Sequence, residues 1–234
     1  MPKKKITVNK TVIAAIILLA VLVIAAGAVI YLTEFSPKPS AAINVGVKVG
    51  DTFTYKLMGE SLDATTPAYL SDYNNTESYK VVVAAISGTV VSVEIEWAFI
   101  NGTIIPIPGS VNIATGAYTG PFWSIYPSNL NLNNLLNPNG QDELIVNSTG
   151  PRTYTAATRQ TNYWSTNNIF ADPSDPTNST QCVNYVGVYF DKQTGMLVSL
   201  TNQQEFLTIN PDETTSQYSI ITYMQLISST VWNV

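Results

Sequence analysis

The chain has 234 residues, with 11 basic and 16 acidic side chains, no histidine and a single cysteine. Lacking histidine, it lacks the commonest general base and the commonest zinc ligand, and one cysteine excludes an intrachain disulfide or a multi-thiolate metal site. Beyond residue 32 there are seven basic against sixteen acidic side chains, a net charge of −9, which repels phosphate backbones and argues against nucleic acid as a partner, while cations or basic surfaces fit better.

The chain opens with Lys3, Lys4, Lys5 and Lys10, followed by an apolar run from Thr11 to Leu32 that no charge interrupts. About 20 apolar residues suffice to cross a bilayer, and the cationic flank stays on the cytoplasmic side. The pattern predicts a cytoplasmic basic segment over 1–10, a transmembrane helix over 11–32, a linker over 33–42 and an extracytoplasmic domain over 43–234. This is a single-pass plasma-membrane layout in which the N-terminal helix touches lipid. The alternative is a cleaved signal peptide, for which the basic start fits. The apolar run, however, exceeds the roughly 7–15 residues of a typical h-region, and the following Thr33–Ala42 stretch holds no clean A-x-A. Cleavage near Ala41 stays open, and the exported location is common to both readings.

Past the linker the pattern turns to period two. Thr52–Leu57 alternates after a Gly50-Asp51 turn, residues 60–76 are polar and irregular, and Tyr79–Ile86 is strand-like. Ser87-Gly88-Thr89 is a tight turn into Val90–Ile100, where Val91, Val93, Ile95, Trp97 and Phe99 share one face and Ser92, Glu94 and Glu96 the other. This alternation is the signature of a half-buried strand. Asn101-Gly102 signals a hairpin into Thr103–Ile107. Residues 108–141 are looser, with a short strand at Val111–Ile113, the Pro121-Phe122-Trp123 cluster, and one or two helical turns expected within 128–136.

Glu143–Asn147 and Arg152–Trp164 return to strand character around a Ser148–Pro151 turn, and residues 171–178 form a proline-punctuated loop. Cys182–Phe190 and Met196–Ile209 read as two strands joined by the Asp191–Gly195 hairpin loop, and Gln217–Ile227 as a final strand. Both faces of that last strand are partly apolar, which suits a central position. No 3.6-residue period is sustained beyond the apolar segment. The expected fold is mainly β: an antiparallel β-sandwich, or a curved, partly closed sheet.

Four sequons lie beyond the membrane segment, at Asn74, Asn101, Asn147 and Asn178, each a glycosylation candidate. Phe122, Trp123, Tyr126, Tyr163 and Trp164 cluster in or near the irregular middle, where aromatics can line a groove for a lipid or a glycan. Glu94 and Glu96 point the same way on a strand and are expected to be solvated surface rather than an acid–base pair. The Asp172–Asn178 loop is oxygen-rich but reads as a turn, because no acidic residue follows at an EF-hand spacing. Cys182 opens an apolar strand and is expected to be buried and inert. No nucleophile motif, phosphate loop or dinucleotide fingerprint is present, so no catalytic residue, metal or cofactor is assigned.

Val47-Lys48-Val49-Gly50-Asp51-Thr52-Phe53-Thr54-Tyr55, Thr153-Tyr154-Thr155-Ala156-Ala157-Thr158-Arg159 and Tyr189-Phe190-Asp191-Lys192-Gln193-Thr194-Gly195-Met196-Leu197 together resemble a group of archaeal exported or membrane-anchored β-domain proteins. The strand–turn runs ending in D-K-x-T-G are also similar to curved-sheet lipoprotein carriers of the LolA and LppX type. That resemblance implies a concave apolar face able to bind acyl chains. The expected function is non-enzymatic: a cell-surface structural or interaction protein, such as an accessory subunit of an envelope assembly, with protein partners or self-assembly. The alternatives are a lipid- or glycan-binding module and a filament subunit that exchanges the stretch Ala42–Val49 after loss of its anchor.

Overall fold

Alternating apolar residues separated by short turns leave each segment with one face to bury, and antiparallel pairing is the cheapest way to bury them together. The computed structural model describes residues 43–62, 67–154, 158–172, 175, 179–210, 212 and 214–234, all within one unit, Ala41–Val234. The elements run β1 (Thr52–Leu62), α1 (Ala68–Asn74), β2 (Thr76–Ser87), β3 (Val90–Phe99), β4 (Ile104–Asn112), β5 (Tyr118–Thr119), β6 (Ser148–Thr153), β7 (Thr158–Ala171), β8 (Thr180–Asp191), β9 (Leu197–Ile209) and β10 (Thr215–Ser229). The chain is thus mainly β, as expected. The proposed membrane span over 11–32 lies outside the described residues, among which no helix is long and apolar enough to cross a bilayer.

All ten strands join one antiparallel sheet in the order β5-β4-β3-β2-β1-β10-β9-β8-β7-β6, and its ends do not meet. Two meanders, β1–β5 and β6–β10, are fused along a seam where the first strand pairs with the last, from Phe53 opposite Ser229 to Leu62 opposite Ser219. One face carries the core. Phe53, Tyr55 and Leu57 of β1, Val81 and Val83 of β2, Val91, Val93 and Ile95 of β3, Val188 and Phe190 of β8 and Leu226 of β10 are all buried. Glu94 and Glu96 point away from this core, and Glu96 pairs with Lys80 across the strands in an exposed salt bridge of 2.9 Å.

The sheet curls. A single cavity is walled by Trp97 of β3 and Val186 of β8, five strand spacings apart, which would be roughly 24 Å on a flat sheet at about 4.8 Å per strand. The hollow is filled by the long connection between β5 and β6, which crosses the buried face. Phe122, Ile125, Tyr126, Leu130 and Leu136 from this plug are at most 3% exposed. It is stitched to the β8–β9 hairpin by Tyr126 N–H to Gly195 O (3.0 Å), Leu197 N–H to Ser124 O (3.2 Å) and Asn129 N–H to Lys192 O (2.6 Å).

The structure differs from the sequence reading at five places. Residues 128–136 form turns instead of helix, with Asn129 and Asn133 in the left-handed region (φ 61° and 63°). A helix appears instead at Ala68–Asn74, within the stretch expected to be irregular. Its Leu70 is fully buried against Gly59, where a Cβ would lie 2.6 Å from a Leu70 methyl. The strand pieces expected at 103–107 and 111–113 are one strand, β4, running through Pro106 and Pro108, which is tolerated because β5 pairs only with Ser110 and Val111 and leaves the proline stretch at the sheet's edge. The turn expected at Ser148–Pro151 is strand β6, paired with β7 from Ser148 opposite Tyr163. Finally, β10 is central but well covered on one face only, since Ile227 on the other is 47% exposed.

Candidate functional site

The D-K-x-T-G hairpin is a structural clasp. Asp191 is fully buried, and its carboxylate accepts from Arg159 Nε (2.7 Å) and Nη2 (2.9 Å) and from Thr194 N–H and Oγ1–H (2.8 and 2.9 Å). The Thr194 hydroxyl in turn accepts from Met196 N–H at 3.2 Å. Gly195 has φ +74°, and a Cβ there would strike the Tyr126 carbonyl oxygen. Asp, Thr and Gly therefore hold the turn that anchors the plug, and the plug forms one wall of the site.

That site is a cavity of about 190 Å³ on the concave face. Leu57, Leu200 and Met224 form its apolar floor, and Tyr79, Trp97 and Trp123 stand around it. Trp97 is pinned, with its indole N–H donating to Thr76 Oγ1 at 2.7 Å while that hydroxyl donates to Asp72 O at 2.8 Å. Tyr73 of α1 meets Trp97 edge-on, with ring centroids 6.4 Å apart, and Tyr79 does so at 5.8 Å. The helix is itself clamped to β1, because the Asn74 amide accepts from Gly59 N–H (2.8 Å) and donates to Gly59 O (2.9 Å).

Among the described residues, no charged side chain lines the cavity. Burial raises the phenols of Tyr73 and Tyr79 above the ordinary range, and the neighbouring Tyr73 adds to the rise at Tyr79. The walls are therefore neutral at any pH near 7. One polar patch interrupts them, where Asn202 of β9 and Thr222 of β10 lie directly opposite each other.

The five aromatic groove residues divide. Phe122 is core, its ring 5.7 Å from that of Tyr55. Trp123 lies between this cavity and another of about 140 Å³, and borders both. Tyr126 and Trp164 wall the smaller cavity, joined by Trp164 Nε1–H to Tyr126 Oη at 3.0 Å. Tyr163 sits on the opposite face of the sheet, with its hydroxyl 2.7 Å from that of Tyr185 and its ring 4.6 Å from Tyr189. The sequence reading missed Leu57, Tyr79, Trp97, Leu200, Asn202 and Met224, which only the curl of the sheet brings together.

The sequons also differ in their freedom. Asn74 spends both amide atoms on Gly59, and Thr76 of the same sequon is 8% exposed with its hydroxyl engaged. Asn147 Oδ1 accepts from Ser165 N–H at 2.8 Å, and Thr149 of that sequon donates to Asn162 Oδ1 at 2.7 Å. Asn101 is exposed at a hairpin tip, with Oδ1 accepting from Thr103 N–H at 3.0 Å. Asn178 lies outside the described residues. Cys182 is buried. In the loop that follows β7, Asp175 Oδ2 accepts from Ser179 Oγ–H and Thr180 N–H, both at 2.8 Å.

No protein-family model matches the chain, and comparison with curated proteins finds no relative.

Proposed function

We propose that this chain is a non-enzymatic binding module, held on the outer face of the plasma membrane by a helix over residues 11–32, whose concave face takes up a small apolar ligand. The observation that carries this reading is the neutral, aromatic-walled cavity between β3 and β8. Ligand sites are typically concave, mostly apolar and furnished with few polar groups, and this one combines Leu57, Leu200 and Met224 with a single polar patch. A polysaccharide fits less well, because its many hydroxyls need many polar partners. In this arrangement the curl of one continuous sheet supplies the two facing walls that separate sheets supply in a sandwich.

The test is titration of the full-length protein in phospholipid nanodiscs with the apolar fluorophore N-phenyl-1-naphthylamine. A blue-shifted, saturable signal that Val186→Phe abolishes supports the reading. A signal indifferent to Val186→Phe, in a variant that keeps the native circular dichroism, rejects it.

A second reading, an interaction subunit of a surface assembly, is favoured by β7. Among the described residues, none pairs with 164–171 on the side away from β8, and Asn167, Asn168, Ile169 and Phe170 are exposed there. The other side edge is defended by Pro106 and Pro108 of β4, whereas the β7 stretch has neither proline nor charge to block strand addition. The stretch 43–48, named above as part of an exchangeable strand, is seated on its own domain: Val47 is 4% exposed and Asn44 O accepts from Ser128 N–H at 2.8 Å. If the interaction reading is correct, Asn168→Pro should release a partner that cross-links to the native protein in its own membrane. Unchanged cross-linking would count against it.

A further inference from the structure

We infer that the ligand of the concave cavity is a neutral apolar alcohol whose hydroxyl donates to Asn202. This rests on the binding-module reading above and adds the chemistry of the ligand's polar end. Asn202 lines the cavity, and its Oδ1 is buried with no hydrogen-bond donor in reach. On the adjacent strand, Asn184 Oδ1 is buried and unpartnered as well. The register sets the two close together. Val186 faces Asn202 and Asn184 faces Gln204, so Asn184 and Asn202 are diagonal neighbours on the same face. Two of the four buried side-chain polar atoms without a partner among the described residues are thus diagonal neighbours on one face, and Asn202 is the one that lines the cavity.

Buried polar atoms are nearly always paired, and an orphan acceptor keeps its desolvation cost until a donor arrives. Carbonyl oxygens accept and cannot donate, so the missing group must carry an O–H or N–H. An ammonium would bring donors, but no carboxylate among the described residues lines the cavity to offset its desolvation. A carboxylate would set its own oxygens against those of Asn202 and Asn184. A sugar would leave most of its hydroxyls against Leu57, Leu200 and Met224. A single hydroxyl on an apolar body satisfies the oxygen of Asn202 and leaves the rest of the molecule on the aromatic walls.

The experiment uses the full-length protein in nanodiscs and follows tryptophan fluorescence, to which Trp97 and Trp123 report from the cavity wall. The titrants are 1-octanol, octyl methyl ether, octanoate and octylamine. One neutral hydrogen bond gained predicts that the alcohol binds about tenfold more tightly than the ether. Asn202→Leu should erase that preference. Equal affinity for alcohol and ether in the native protein overturns the inference, and this comparison does not depend on any variant folding. Stronger binding of octanoate or octylamine overturns it as well. If none of the four binds, the cavity reading itself fails, an outcome distinct from the loss of preference.

Discussion

Replacing Asp191 with alanine tests whether the D-K-x-T-G turn is the clasp of the fold. Its carboxylate takes four hydrogen bonds, two from Arg159 and two from Thr194. Breaking a buried ion pair costs about 3–5 kcal/mol, because the partner is left charged and unpaired. The Arg159 side chain is 16% exposed and also lies 4.4 Å from the Trp232 ring centroid, which places its share at the lower end, about 3 kcal/mol. The Thr194 amide and hydroxyl lose their acceptor, about 0.5 kcal/mol each at the low end for a net hydrogen bond, or about 1 kcal/mol in all.

The expected loss is therefore about 4 kcal/mol, or a fall in Tm of roughly 8–16 °C for a domain of this size. Thermal unfolding of the full-length protein, followed by circular dichroism, measures it. On an Arg159→Met background, Asp191→Ala should cost about half as much, since no cation is left stranded. A Tm shift under about 3 °C, or strictly additive effects of the two changes, would show that Asp191 does not clasp the fold.

Other expectations follow from the same packing. Tyr55, Tyr79 and Tyr126 are at most 4% exposed, and burial raises all three phenols. Each stays protonated in the fold while the unfolded chain ionises near pH 10, so stability should hold below pH 10 and then fall by about 4 kcal/mol per pH unit. Phenolate absorbance should rise with unfolding and not ahead of it, and ionisation of all three in a still-folded protein would contradict this. Gly195→Ala should detach the plug and lower the denaturant midpoint, whereas Gly88→Ala, at an open turn with φ +58° and nothing within 4 Å of a Cβ, should cost only the backbone strain of about 1 kcal/mol. If the native protein carries sugar on a described sequon, intact mass should drop in Asn101→Gln; in Asn74→Gln the mass should hold and the Tm should fall. Cys182 should react with a thiol reagent only as fast as the protein opens, which a comparison of labelling and unfolding rates decides.

Legibility in the sequence followed the range of the interactions. Strand β3 was readable because Val91, Val93 and Ile95 alternate cleanly with Ser92, Glu94 and Glu96. The β8–β9 hairpin was readable because Asp191–Gly195 carries its own turn chemistry. Helix α1 was hidden because seven residues show no period. It exists because Gly59 leaves room for Leu70 and Asn74 grips the same glycine, a contact fifteen residues back. Prolines 106 and 108 concealed β4, since whether a strand lies at an edge is a property of the whole sheet. The aromatic plug was visible as composition, yet the cavity floor was not. Leu200 and Met224 face each other across the β9–β10 hairpin, but only the β1–β10 seam brings Leu57 beside them. Asn202 sits in the polar run Thr201–Glu205, which read alone suggests open surface.

That seam has a consequence for how the molecule comes into being. Phe53 and Ser229 are neighbours across the middle of the sheet, so the earliest strand out of a ribosome or translocon finds its central mate only when almost all of the polypeptide has followed. Until then the first meander waits with its innermost margin bare, and closure across so long a loop is intrinsically slow. A protein built this way has its greatest need for a chaperone during the interval before its last fifteen-residue strand is delivered.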